Sequence, residues 1–126
     1  MENQQNNHKT WWDEKNEIIR IRVLGDFGGQ DAEGTANKIA EIKDQFPGKK
    51  LGIMVEMELA TTPSSQARKI IMEKIYKDPT IEKIATISQS LIVRTINNFL
   101  AKASGLKEVK VEQFSTEEEA LKWLKE

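Results

Sequence analysis

The chain has 126 residues, 19 basic against 20 acidic side chains, and no cysteine. That length supports one hydrophobic core, and the charge balance excludes the basic footprint of a nucleic-acid-binding surface. The missing thiols exclude disulfides, thiolate metal sites and a cysteine nucleophile.

No segment approaches the roughly 18 consecutive apolar residues that span a bilayer. The opening MENQQNNHK lacks the basic and then apolar pattern of a secretory signal. A soluble, cytoplasmic protein is expected. Residues 1–9 are polar and rich in Asn and Gln, which predicts a disordered tail ahead of a single α/β domain over residues 10–126. His8 falls in that tail and is expected to be solvated and without a role.

Two stretches rich in aromatic and β-branched residues, Trp11-Trp12 and EIIRIRVL, flank the turn formers DEKN and predict a hairpin. In its second strand Ile19, Ile21 and Val23 share one face while Arg20 and Arg22 share the other. Trp11 and Trp12 divide between core and surface by the same alternation. The glycines of GDFGGQ lack both the Lys-Ser/Thr of a P-loop and the spacing of a dinucleotide fingerprint, so a flexible connection is expected there. Asp31 is placed to cap a helix carrying Ala32, Ala36, Ile39, Ile42 and Phe46 at helical spacing, stopped by Pro47 and Gly48.

A third strand, LGIMVEMEL, sets Leu51, Ile53, Val55, Met57 and Leu59 against Gly52, Met54, Glu56 and Glu58. Pro63 opens a helix that runs to about Lys77, where Asp78-Pro79 turns the chain. A fourth strand, Ile84 to Ser88, leads into a helix from about Ser90 to Ser104, closed by Gly105. The fifth strand is VKVEQF. Ser115 and Glu118 form a capping box for a last helix with Ala120, Leu121 and Leu124 facing inward and Trp123 at the margin of that stripe.

Strands that alternate with single helices predict a five-stranded, mostly parallel sheet with right-handed crossovers and an antiparallel first strand at an edge. Arg20, Arg22, Glu56, Glu58, Lys110 and Glu112 all point away from the core, which predicts helices mainly on one face. Arg20 and Arg22 are expected to meet Glu56 and Glu58 as exposed pairs worth ~0.5 kcal/mol each, setting register more than stability.

Two helix starts stand out. Thr62, Ser64 and Ser65 precede Arg68, and Ser88 and Ser90 precede Arg94, with no acidic residue in either first turn. The other two helices begin with Asp31 or Glu117, Glu118 and Glu119, as the helix dipole favours. In a sequential parallel sheet the two exceptions are neighbours at the carboxyl ends of strands, so Thr62, Ser64, Ser65, Arg68, Ser88, Ser90 and Arg94 form a candidate site for a phosphate or carboxylate. The hydroxyls have a simpler use as caps, and the arginines as partners of Glu56, Glu58 or backbone carbonyls. No general base, nucleophile pair or metal cluster is legible, so neither an enzyme nor a cofactor is expected.

The order of elements and the ending FSTEEEALKWL, Phe114 to Leu124, preceded by SLIVRTINNFL, resemble the STAS-like (SpoIIAA-like) group of bacterial anti-sigma factor antagonists. Its uncharacterised STAS/CRAL-TRIO-like members are the nearest in appearance. The resemblance implies a right-handed βα superhelix with strands in sequential order. In the antagonists a serine after the third strand, within a motif like Asp-Ser-Ser-Gly, accepts phosphate and so controls binding to a kinase-type anti-sigma factor. Ser64 and Ser65 match the two serines, while Pro63 stands in place of the aspartate and Gln66 in place of the glycine. The function implied is a regulatory or interaction domain with a protein partner or self-association. The CRAL-TRIO relatives imply as an alternative a small anionic or lipid ligand, for which Met54, Met57 and Met72 would line a compliant pocket.

Overall fold

Residues 8–58, 63–88 and 110–126 are described by the computed structural model. Five strands lie in one sheet: β1 (Lys9–Asp13), β2 (Ile18–Leu24), β3 (Leu51–Glu58), β4 (Ile81–Ile87) and β5 (Lys110–Phe114). Their spatial order is their sequence order, with β1 antiparallel to β2 and every later pair parallel. The hairpin is closed by Asp13, whose carboxylate accepts from the Asn16 amide and side chain at 3.1 and 2.8 Å. Glu17 takes the left-handed conformation, φ 57°, that lets the chain reverse.

Helix α1 (Gly29–Lys43) and helix α2 (Ser65–Ile71), which continues into a π-helical turn over Met72–Tyr76, pack on one face of the sheet. Ile19, Ile21 and Val23 of β2, Leu51 and Ile53 of β3 and Ile81 and Ile84 of β4 form the core beneath them. The period-two pattern of β2 and β3 is read out directly as an inner and an outer face, while in β4 a register shift opposite Leu51 and Gly52 brings Ile81 and Ile84, three residues apart, to the same side. Trp12 joins this core and stacks on Phe46 with centroids 4.4 Å apart, while Trp11 turns to the opposite face.

That opposite face is not left to charges alone. Helix α3 (Glu117–Leu124) lies across it, over β3, β4 and β5, and builds a second core from Ile18, Met54, Ala85 and Ala120. Met54 is wholly buried there. The expectation of helices mainly on one face holds: among the described helices α1 and α2 share it, and α3 lies on the other. The physical reason is that Ile18, Met54, Ala85, Ile87 and Phe114 put enough apolar surface among the charges to be worth covering.

Several local expectations move by a residue or two. Gly28, not Asp31, is the N-cap of α1; Asp31 acts from three residues further on, accepting from the Gly28 amide at 2.8 Å. Thr116, not Ser115, caps α3, pairing with Glu119. Strand β4 begins at Ile81, three residues before the predicted start. The predicted helix from Ser90 to Ser104 lies outside the described residues, as do Thr62, Ser90 and Arg94.

His8 and Lys9 do not behave as a tail. Lys9 is the first residue of β1, and the His8 side chain is only 8% exposed. Its Nδ1 accepts from the Leu24 amide at 3.3 Å, which leaves Nε2–H to donate to the Asp26 carbonyl at 2.7 Å. The ring also meets Phe27 edge-on at 5.0 Å. A polar composition gave no hint of these tertiary partners.

Candidate functional site

The loop at the carboxyl end of β2 packs against the start of α2. GDFGGQ is not a loose connection: Phe27 is buried in the core, and its carbonyl accepts from the Ser64 amide at 3.1 Å. Gly29 lies so close to Gln66 that an added Cβ would fall 2.5 Å from the glutamine side chain. The first turn of α2 is thereby held against the first turn of α1.

Within that turn the two serines have different duties. Ser64 is the N-cap, its hydroxyl accepting from the Ala67 amide at 3.1 Å. Ser65 is exposed, and its hydroxyl accepts from Arg68 at 3.3 Å. Arg68 also donates to the Pro63 carbonyl at 2.8 Å. The guanidinium thus folds back over its own helix start, as the carbonyl-bonding alternative anticipated, and remains beside the Ser65 hydroxyl. Ser88 is buried at the end of β4, its amide bonded to the Phe114 carbonyl at 3.3 Å. The structure therefore joins Ser64, Ser65 and Arg68 in one turn and sets Ser88 at the end of the adjoining strand.

Between α1, α2 and the sheet lies a cavity of about 60 Å³. Its walls are apolar, with the hydroxyl-bearing Thr35, Tyr76 and Thr86 among them. Desolvation pushes the Tyr76 phenol up to about 12. Of the methionines named above only Met57 lines this space; Met54 lies on the other face of the sheet and Met72 packs against the first core.

A site that sequence reasoning missed lies on the opposite face, around Arg20. Its guanidinium reaches Asp13 at 3.2 Å, Glu56 at 2.7 Å and Glu117 of α3 at 2.7 Å. The side chain is 12% exposed, so this is a desolvated network and not the exposed pairing expected from the strand pattern. Burial alone would lower the Arg20 pKa, but hydrogen bonds to Glu56, Glu117 and Asp13 outweigh it and raise the value. Burial would likewise raise the Asp13 carboxyl, yet bonds from Asn16 and Arg20 hold it below its ordinary value. Arg22 receives less: Glu56 lies 3.6 Å away, and the Arg22 Nε is buried without an acceptor. The Trp11 ring lies under both guanidinium groups, 5.6 and 5.8 Å from their carbons.

Among the described residues no cluster of His, Asp and Glu could hold a metal ion, and no helix is long and apolar enough to cross a membrane. A sequential five-stranded sheet with an antiparallel first strand is the architecture of a STAS-type α/β domain. The family model described as SpoIIAA-like matches residues 18–125, and the chain belongs to that family. The fold is similar to the crystal structure of an uncharacterized protein of the DUF3478 family from Shewanella loihica PV-4, described as having a SpoIIAA-like fold. The two share 13% identity with a TM-score of 0.71, over 98% of this chain and 99% of that one. Comparison with curated proteins returned no match.

Proposed function

We propose that the chain is a non-enzymatic regulatory or protein-interaction domain of the cytoplasm, read by its partner at the helix start that follows β3 and at the segment after β4 that the sequence predicts to be helical. The observation that carries this is the exposed Ser65 hydroxyl beside Arg68. A phosphate on Ser65 would add about 1.5 to 2 negative charges and three acceptor oxygens next to a guanidinium suited to paired donation. Ser64 is the poorer acceptor because its oxygen already serves the cap. In this reading Thr62, Ser88, Ser90 and Arg94 complete the anion site begun by Ser64, Ser65 and Arg68. The turn offers hydroxyls, an amide and a guanidinium, which bind anions but supply no general base.

Carriage of a lipid, the alternative reading, has the apolar cavity under α2 in its favour. At about 60 Å³ that cavity is well below the roughly 300–1,000 Å³ of pockets that enclose drug-sized ligands, so the interaction reading is preferred.

Native mass spectrometry of protein isolated from its own cells tests the choice. The expected result is a species heavier by one phosphate, abolished by Ser65→Ala and retained in Ser64→Ala. Unmodified protein carrying a co-purified lipid would reverse the preference.

A further inference from the structure

A second surface, apart from the Ser65 turn, lies at the β1 edge of the sheet. Strand β1 is the terminal strand and pairs on one side only, with β2. Among the described residues no strand pairs with its outer side, which is the kind of edge that accepts a further strand. Helix α3 covers the outer face over β3, β4 and β5 and leaves Trp11 and Arg22 at the rim.

The side chains there are mismatched in a way the fold itself does not resolve. Lys9 lies directly opposite Arg22 in the ladder, and like charges in that relation repel. Lys9 is exposed and forms no ion pair with any described carboxylate. Arg22 shares Glu56 with Arg20, which holds that carboxylate at 2.7 Å against 3.6 Å for Arg22. The Nε of Arg22 is buried without an acceptor. Among the described residues, His8, Lys9, Thr10, Trp11 and Arg22 line a groove to which none contributes a carboxylate.

We propose that this edge is a docking surface for an extended acidic peptide segment of a partner protein, added to the sheet as a strand beyond β1. Main-chain bonds to β1 supply the alignment, and alternate side chains of the added strand fall on the outer face. Carboxylates there meet Lys9 and Arg22 and relieve their mutual repulsion. Arginine and tryptophan are the residue types that most often anchor such contacts. This inference rests on the interaction reading but uses a different surface from the Ser65 turn.

The test is a titration of the full chain at low salt with a hexapeptide that alternates glutamate and valine, followed by backbone amide NMR and hydrogen exchange. The expected result is shifted signals centred on Lys9–Asp13 and slower exchange of the outward amides of β1. Binding should weaken about tenfold or more for Arg22→Gln, and for Lys9→Glu, which lies at the exposed strand end where folding is least at risk. A lysine–valine peptide should not bind. Equal binding of that peptide, shifts confined to other elements, or no response at roughly millimolar peptide would overturn the proposal. So would the same shifts with inorganic phosphate alone, which indicates a small-anion site, or peptide-independent protection that grows with protein concentration, which indicates a second copy. Phosphate on Ser65 is scored separately, so either reading can fail without the other.

Discussion

Arg20 on β2 and Glu117 on the last helix are 97 residues apart in the chain and 2.7 Å apart in space. The same guanidinium also meets Asp13 and Glu56, so one side chain joins β1, β2, β3 and α3. Replacing Arg20 by Leu strands two carboxylates that are each about as buried as the arginine, and a loss of roughly 3–5 kcal/mol is expected in chemical denaturation. Glu117→Gln should cost well under half as much, because Glu117 is 49% exposed and its charge is screened.

Acid should weaken the fold through two aspartates. Asp13 is held low as described, and Asp78 is too, because bonds from Lys43 and Thr80 outweigh the burial that would raise it. A carboxyl with a depressed folded value contributes stability above its unfolded pKa of about 3.9 and loses it as the pH falls through the folded value. Stability measured by urea titration should therefore drop steeply below about pH 4. Asp78→Asn should flatten that limb while lowering stability at neutral pH.

Alkali acts through Tyr76. Its folded value near 12 exceeds the unfolded value of about 10, so between those limits the unfolded chain releases a proton that the folded chain keeps. Stability should fall across that interval by about 2–3 kcal/mol, and Tyr76→Phe should remove the effect. Since the chain has a single tyrosine, tyrosinate absorbance reports the transition directly. A phenol titrating near 10 in the folded protein would contradict the burial argument.

The two serines of α2 should separate on mutation. Ser64→Ala removes a cap and is expected to cost about 1 kcal/mol, whereas Ser65→Ala should change stability by less than about 0.5 kcal/mol. Thermal unfolding of the pair distinguishes structural from recognitional use of the motif.

Gly29 and Gln66 should be coupled. Gly29→Ala favours the helix by up to about 1 kcal/mol but drives a Cβ into the Gln66 side chain, so the single change is expected to be near neutral. In a Gln66→Ala background the full gain should appear. A double-mutant cycle with no interaction energy would mean the first turns of α1 and α2 are not packed together.

Much of the architecture could be read from the amino-acid order because it depends on local rules. Alternation in EIIRIRVL and LGIMVEMEL set the two faces of β2 and β3, and the single helices between strands led to a sequential, mostly parallel sheet with β1 reversed at its edge. Capping signals located α1 and α3 to within a few residues, since a hydroxyl or carboxylate one place along can serve the same amide.

Only the tertiary structure decided what the polar residues do. Arg20 reads as an exposed strand residue until α3 folds over the outer face and Glu117 arrives beside it. His8 reads as part of a tail until Leu24 and Asp26 present an amide and a carbonyl at the spacing of its two ring nitrogens. Ser64 and Ser65 read as equals until Ala67 claims one hydroxyl and Arg68 the other. Apolar periodicity acts between near neighbours in sequence, whereas a charge or hydrogen-bonding group takes its role from whatever distant segment the fold brings within about 3 Å of it.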